Sequence, residues 1–229
     1  MATLARRLRQ RLGLKSMFML SGLVGTLCGS GWCSPALAQT PFSPFPPVVQ
    51  FVNGQYHGTL QTPGMTLPIT GGLEYLSGTS PLIKLNVSAD TGGQETTWVT
   101  STPTVITEWE IASTDPTTCQ NGVLSGHSYP QCTGWQQAGN SWSLECMQGN
   151  NATLDIVAIV NSTNQLVQLQ ENTTIHGKAK NSLTISVDSQ STTPPPASDF
   201  VLPSICPNGS NQGENDKGQC TGTIPSICL

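Results

Sequence analysis

Arginine is absent from this 229-residue chain after position 11, and only four lysines follow the first fifteen residues: Lys84, Lys178, Lys180 and Lys217. Nucleic-acid recognition neutralises phosphates with Lys and Arg, so that class of partner is excluded, and anionic membrane surfaces with it. Charged residues make up 10% of the chain and aromatics 6%, which leaves Ser, Thr, Asn and Gln to supply the polar surface, a composition suited to an extracellular β protein. Beyond the N-terminal segment there is no apolar run of the roughly 20 residues a membrane helix needs, and no stretch with amphipathic helical periodicity. No G-x-S-x-G, no H-E-x-x-H and no glycine loop leading into a helix occurs. The absence of any C-x₂-C pair, with His57, His127 and His176 scattered, excludes the common zinc patterns. No metal or cofactor is expected.

What is present begins with an export signal. Arg6, Arg7, Arg9, Arg11 and Lys15 form a basic region, Met17 to Cys28 an apolar stretch, and Ala36-Leu37-Ala38 a small-residue cleavage site before Gln39. The apolar stretch is interrupted by Ser21, Gly22 and Gly25, which argues against a retained span. Cleavage after Ala38 leaves 191 residues whose four lysines face thirteen acidic residues, a net charge of −9. The expected location is therefore outside the cytoplasm: periplasmic, cell-surface or secreted.

Gln39 to Pro47 holds four prolines and reads as an extended lead-in. Period-2 alternation then recurs along the chain. Ile83, Leu85, Val87 and Ala89 alternate with Lys84, Asn86, Ser88 and Asp90. Val105, Thr107, Trp109 and Ile111 oppose Ile106, Glu108 and Glu110, and Trp142, Leu144 and Cys146 oppose Ser141, Ser143 and Glu145. Leu154 to Val160 is apolar on both faces apart from Asp155, and the turn Asn161-Ser162-Thr163-Asn164 leads into a returning strand with Val167 and Leu169. Leu183, Ile185 and Val187 complete a meander. Short strands without intervening helices predict an all-β fold, an antiparallel β-sandwich with a closed barrel as the alternative. The organisation read from this is a signal peptide (1–38), a proline-rich lead-in (39–47), a β-sandwich domain (48–190), and a proline linker with a cysteine-bearing tail (191–229).

Six cysteines remain outside the signal, Cys119, Cys132 and Cys146 in the sandwich and Cys206, Cys220 and Cys228 in the tail. An even number in an exported chain reads as disulfides. With three on each side of the proline linker, complete pairing requires at least one bridge between sandwich and tail, so the tail is clamped. The pairing expected from proximity is Cys119 with Cys132, Cys206 with Cys220, and Cys146 with Cys228.

Two strings suggest chemistry. Asp90-Thr91-Gly92 resembles the active-site triplet of aspartic proteases, in which two such aspartates share a proton. One copy per chain would require a homodimer, and Ser88 and Gly93 depart from the flanking pattern, so Asp90 reads first as a strand end turning through Gly92-Gly93. Tyr129, Trp135 and Trp142 lie close around Cys132 and, with Trp98 of an alternating segment that could face either way, suggest a platform for stacking on sugars. The sequence thus points to an exported, non-enzymatic structural or adhesive β module of the cell envelope or extracellular space. A carbohydrate-binding module is the alternative and a dimeric protease through Asp90 a distant one. The corresponding partners are a polysaccharide or an envelope protein.

Overall fold

The computed structural model describes residues 40–90, 92–126, 129–148 and 152–206. The expected signal peptide, Cys220 and Cys228 lie outside them. The described residues are nearly all β. The first six strands are β1 (Phe51–Thr62), β2 (Met65–Leu76), β3 (Leu82–Ala89), β4 (Gln94–Ser101), β5 (Val105–Ala112) and β6 (Gln120–Ser125). They are followed by β7 (Gln131–Cys132), β8 (Gln136–Ala138), β9 (Ser141–Gln148), β10 (Ala152–Val160), β11 (Leu166–Ile175) and β12 (Lys178–Gln190). A short 3-10 turn, Ala197–Phe200, lies in the proline linker.

All twelve strands belong to one antiparallel sheet in the order β6-β5-β4-β3-β2-β1-β12-β11-β10-β9-β7, with β8 also paired to β9. Two meanders, β1 to β6 and β7 to β12, are joined in the middle by the pairing of β1 with β12. Their other link is the chain itself. Strand β6 lies at one edge and β7 at the other, yet only residues 126–130 connect them. Laid flat, the eleven strands of that path would span about 48 Å at ~4.8 Å per neighbour, whereas such a connection reaches about 20 Å at most. The sheet must therefore roll over on itself until its edges approach. The antiparallel sandwich is realised as two walls of a single rolled sheet that does not close into a barrel.

Central glycines permit this curvature. A Cβ at Gly58 in β1 would overlap the Thr184 carbonyl oxygen of β12, and one at Gly71 in β2 would overlap the Asn86 carbonyl oxygen of β3. Only residues without a side chain allow neighbouring backbones to coil this closely. Tyr56 stands directly across from Gly71, and its hydroxyl donates to Asn86 O at 3.1 Å, so the ring covers the surface that glycine leaves bare.

The core lies between the walls, formed by Tyr56, Leu73, Leu85 and Val99 from one side and Leu144, Ile156, Leu169 and Ile185 from the other. The lead-in is part of it. Pro44 and Pro46 are fully buried, and Phe42, Phe45 and Val49 join the same cluster. Its prolines keep the segment out of the ladder, it bends at Pro44 and Phe45 and turns where Val49 N–H donates to Pro46 O at 2.9 Å, and its aromatic side chains make it a strap across the core.

Two facings depart from expectation. On β5 the residue facing the main core is Ile106, together with Glu108 and Glu110, because Ser101, Val99 and Thr97 of β4 pair with those three positions. Trp109 faces outward and pairs with Trp98, forming a second cluster with Cys206 that is packed by Leu202, Ile111 and Cys119. On β11, a register shift opposite Ile159 and Val160 turns Val167 outward, and Leu166 and Leu169 are buried in its place.

The disulfides correct the expected pairing. Cys119 is joined to Cys206 and Cys132 to Cys146. Cys132 and Cys146 are direct cross-strand partners on β7 and β9, a proximity that linear spacing does not reveal. The bridge between domain and tail required by cysteine parity is Cys119–Cys206. Disulfides of this kind are consistent with an exported protein, and among the described residues no helix is long and apolar enough to cross a membrane.

Candidate binding cavity

The aromatic platform suggested by the sequence is not formed. Trp98, Tyr129 and Trp142 are 8%, 7% and 9% exposed, and Trp135 is partly buried against the main core. Trp98 is held under the tail. Tyr129 closes the seam between the sheet edges: its hydroxyl donates to Thr102 O at 2.8 Å and accepts from Phe42 N–H at 2.8 Å. Three buried rings cannot stack on a sugar, so the carbohydrate reading loses its basis. Asp90 is exposed in the β3–β4 hairpin, where Gly92 N–H bonds Ala89 O at 2.9 Å and Gly92 adopts φ 84°. His57 is exposed beside Asp188 at 2.5 Å. Among the described residues no group of three His, Cys, Asp or Glu side chains is placed to hold a metal ion.

The structure shows instead a cavity of about 40 Å³ inside the rolled sheet. Five consecutive neighbours of the sheet form its concave lining: Ile83, Leu85 and Val87 of β3, Ile69 and Leu73 of β2, Tyr56 and Leu60 of β1, Asn181, Leu183 and Ile185 of β12, and Leu169, Glu171 and Thr173 of β11. Pro44 and Phe45 of the strap complete it. The Phe45 ring lies against Tyr75, with centroids 4.3 Å apart, and the Tyr75 hydroxyl meets Ser43 Oγ at 3.2 Å. Strand alternation explains the lining: successive inward positions on β11 are Leu169, Glu171 and Thr173, and their β12 partners are Ile185, Leu183 and Asn181.

Glu171 is the exception in this apolar setting. It is 5% exposed and makes no hydrogen bond or ion pair among the described residues. Burial alone pushes its carboxyl up to about 8. Its position was readable from parity, two residues beyond Leu169 on the same face, but an isolated glutamate in a Gln- and Thr-rich strand carries no motif.

A second group of acids lies farther along the same concave face. Burial, then repulsion from Glu110, pushes Glu95 up to about 9; the same two causes push Glu108 up to about 8. Lys84, the basic residue nearest in sequence, is paired instead with Glu74 at 3.2 Å.

These shifts fix the sign of the pH dependence. The folded state retains protons on Glu95, Glu108 and Glu171 that the unfolded chain releases near pH 4.5, so the stability these groups contribute is fully present below that pH and is lost as pH rises toward 8 to 9. Each fully shifted group contributes about 1.4 kcal/mol per pH unit inside this window. Glu171→Gln is expected to remove one such contribution, flattening the slope of unfolding free energy between pH 5.5 and 7.5 by about 1.4 kcal/mol per unit. Urea titrations of both proteins across that range test it, and parallel slopes would show that Glu171 is ionised in the native state.

No family model matches the chain, and no curated protein does. Among solved structures, a LolA superfamily protein from Nitrosomonas europaea is similar at a TM-score of 0.32 and 7% identity, over 67% of this chain and 91% of that one.

Proposed function

We propose that this chain is an exported, non-enzymatic β module of the cell envelope or extracellular space whose rolled sheet holds a small apolar molecule on its concave face, beneath the strap. The observation that carries this reading is the apolar cavity under a strap that takes no part in the sheet ladder. At about 40 Å³ the space accommodates two or three waters and no larger ligand. A ligand must therefore take the place of strap side chains, Pro44 and Phe45 first. Their withdrawal breaks no strand pairing, since residues 40–49 lie outside every strand. Cleavage after Ala38, as the sequence predicts, would make this strap the free N-terminal end, able to swing aside without unfolding either wall.

The test uses the oxidised mature chain and a second form lacking residues 39–47, titrated with the neutral fluorophore N-phenyl-1-naphthylamine. Saturable one-to-one binding is expected, tighter in the shortened form because the strap no longer competes. An absence of saturable binding by both forms would leave the structural or adhesive role as the remaining reading of the exported module.

A further inference from the structure

We infer that Glu171 is the recognition group of this cavity, donating a hydrogen bond to a single neutral oxygen acceptor, such as an ester or ketone carbonyl, at the polar end of an otherwise apolar ligand. The inference rests on the cavity being the ligand site.

Three observations support it. Glu171 lines the cavity, is 5% exposed, and has no hydrogen-bonding or ionic partner among the described residues. A carboxyl in a mostly apolar lining with no protein partner gains a hydrogen bond when a ligand supplies one. Second, apart from the Tyr56 hydroxyl, which donates to Asn86 O, the polar side chains of the lining are grouped: Thr173 is on the same face of β11 as Glu171, and Asn181 pairs with Thr173 across β12, whereas Pro44, Phe45 and Leu85 offer only apolar surface. The matching ligand is apolar along its length and polar at one terminus. Third, among the described residues no Lys or Arg lines the cavity, so an anionic head group would find no countercharge from them.

The choice between a neutral acceptor and a cation follows from the protonation state. With its carboxyl raised to about 8, Glu171 is mostly a neutral acid near pH 7 and offers an O–H donor. An ammonium group would require that proton to leave and two charges to be held in an apolar enclosure, where the desolvation penalty can exceed the attraction gained. A carbonyl oxygen accepts the existing proton with no charge created. The same logic keeps a carboxylic acid neutral in other apolar sites so that it can donate.

Three eight-carbon-chain probes, methyl octanoate, octylammonium and octane, separate the alternatives by displacing N-phenyl-1-naphthylamine from the oxidised mature chain at pH 6.5. Methyl octanoate is expected to bind about tenfold more tightly than octane, as one added buried hydrogen bond implies. Glu171→Leu should reduce that ratio to about one while octane binding persists. Glu171→Gln should preserve most of it, since an amide N–H also donates, which guards against misreading a folding defect in the leucine variant. An ester-to-alkane ratio unchanged in Glu171→Leu would overturn the inference, as would tightest binding by octylammonium accompanied by proton release. If the fluorophore itself does not bind, the cavity reading fails, which is a separate result from binding that ignores Glu171.

Discussion

Replacing Cys119 and Cys206 together by serine is expected to lower stability by about 4–5 kcal/mol, more than the corresponding loss of Cys132–Cys146. The two bridges constrain the unfolded chain unequally, because one spans 87 positions and the other 14. Loop-closure entropy gives about 4.6 kcal/mol for the long bridge and about 3 kcal/mol for the short one. The long bridge also has a local consequence. It holds Cys206 and Leu202 over Trp98 and Trp109, and with the clamp removed both indoles should gain water contact, shifting tryptophan emission to the red before global unfolding. The double replacement avoids leaving an unpaired thiol. Urea midpoints and emission maxima of the two double variants decide the matter, and a long-bridge variant with unchanged midpoint and emission would show that the tail is not fastened through Cys206.

How far the sequence could lead is illustrated by the same bridge. Counting three cysteines on each side of the proline linker required a connection between domain and tail, and Cys119–Cys206 is that connection. Which cysteines make it depends on the folding of the strands: β7 places Cys132 opposite Cys146, a contact set by the return of the chain at the far sheet edge. The all-β antiparallel class was legible in the alternation of β3, β9 and β12. That the strands form one rolled sheet was not, because the pairing of β1 with β12 joins residues more than 120 positions apart and leaves no local trace. Period 2 also states that a strand has two faces without saying which is inward. On β5, the face with Trp109 has the larger apolar residues, yet it packs under the tail while Ile106 and two glutamates face the core. The cavity was hidden for a similar reason. Its roof comes from a proline-rich segment that reads as a lead-in until Phe42 and Phe45 are seen against the sheet.

Phe45 offers the most direct test of the strap as both core and gate. The ring is 3% exposed, stacks on Tyr75 and borders the cavity, so truncation to alanine removes buried surface and merges the vacated space with the existing void. Phe→Ala changes in rigid cores cost about 3–5 kcal/mol, the larger values where the surroundings cannot collapse. Here the walls are held by ladder pairing and cannot close, whereas the strap can move. The expected loss is about 3 kcal/mol, at the lower end, because the strap can relax outward. The enlarged apolar space should then accept a small guest: saturating benzene should raise the melting temperature of Phe45→Ala and leave the wild-type protein nearly unchanged, since only a binder of the native state stabilises it. A loss below 1 kcal/mol would mean that the strap contributes little to the core, and a full loss without rescue by benzene would mean that the walls collapse into the space. Stability loss together with guest rescue is the result that only a rigid-walled, strap-roofed cavity produces.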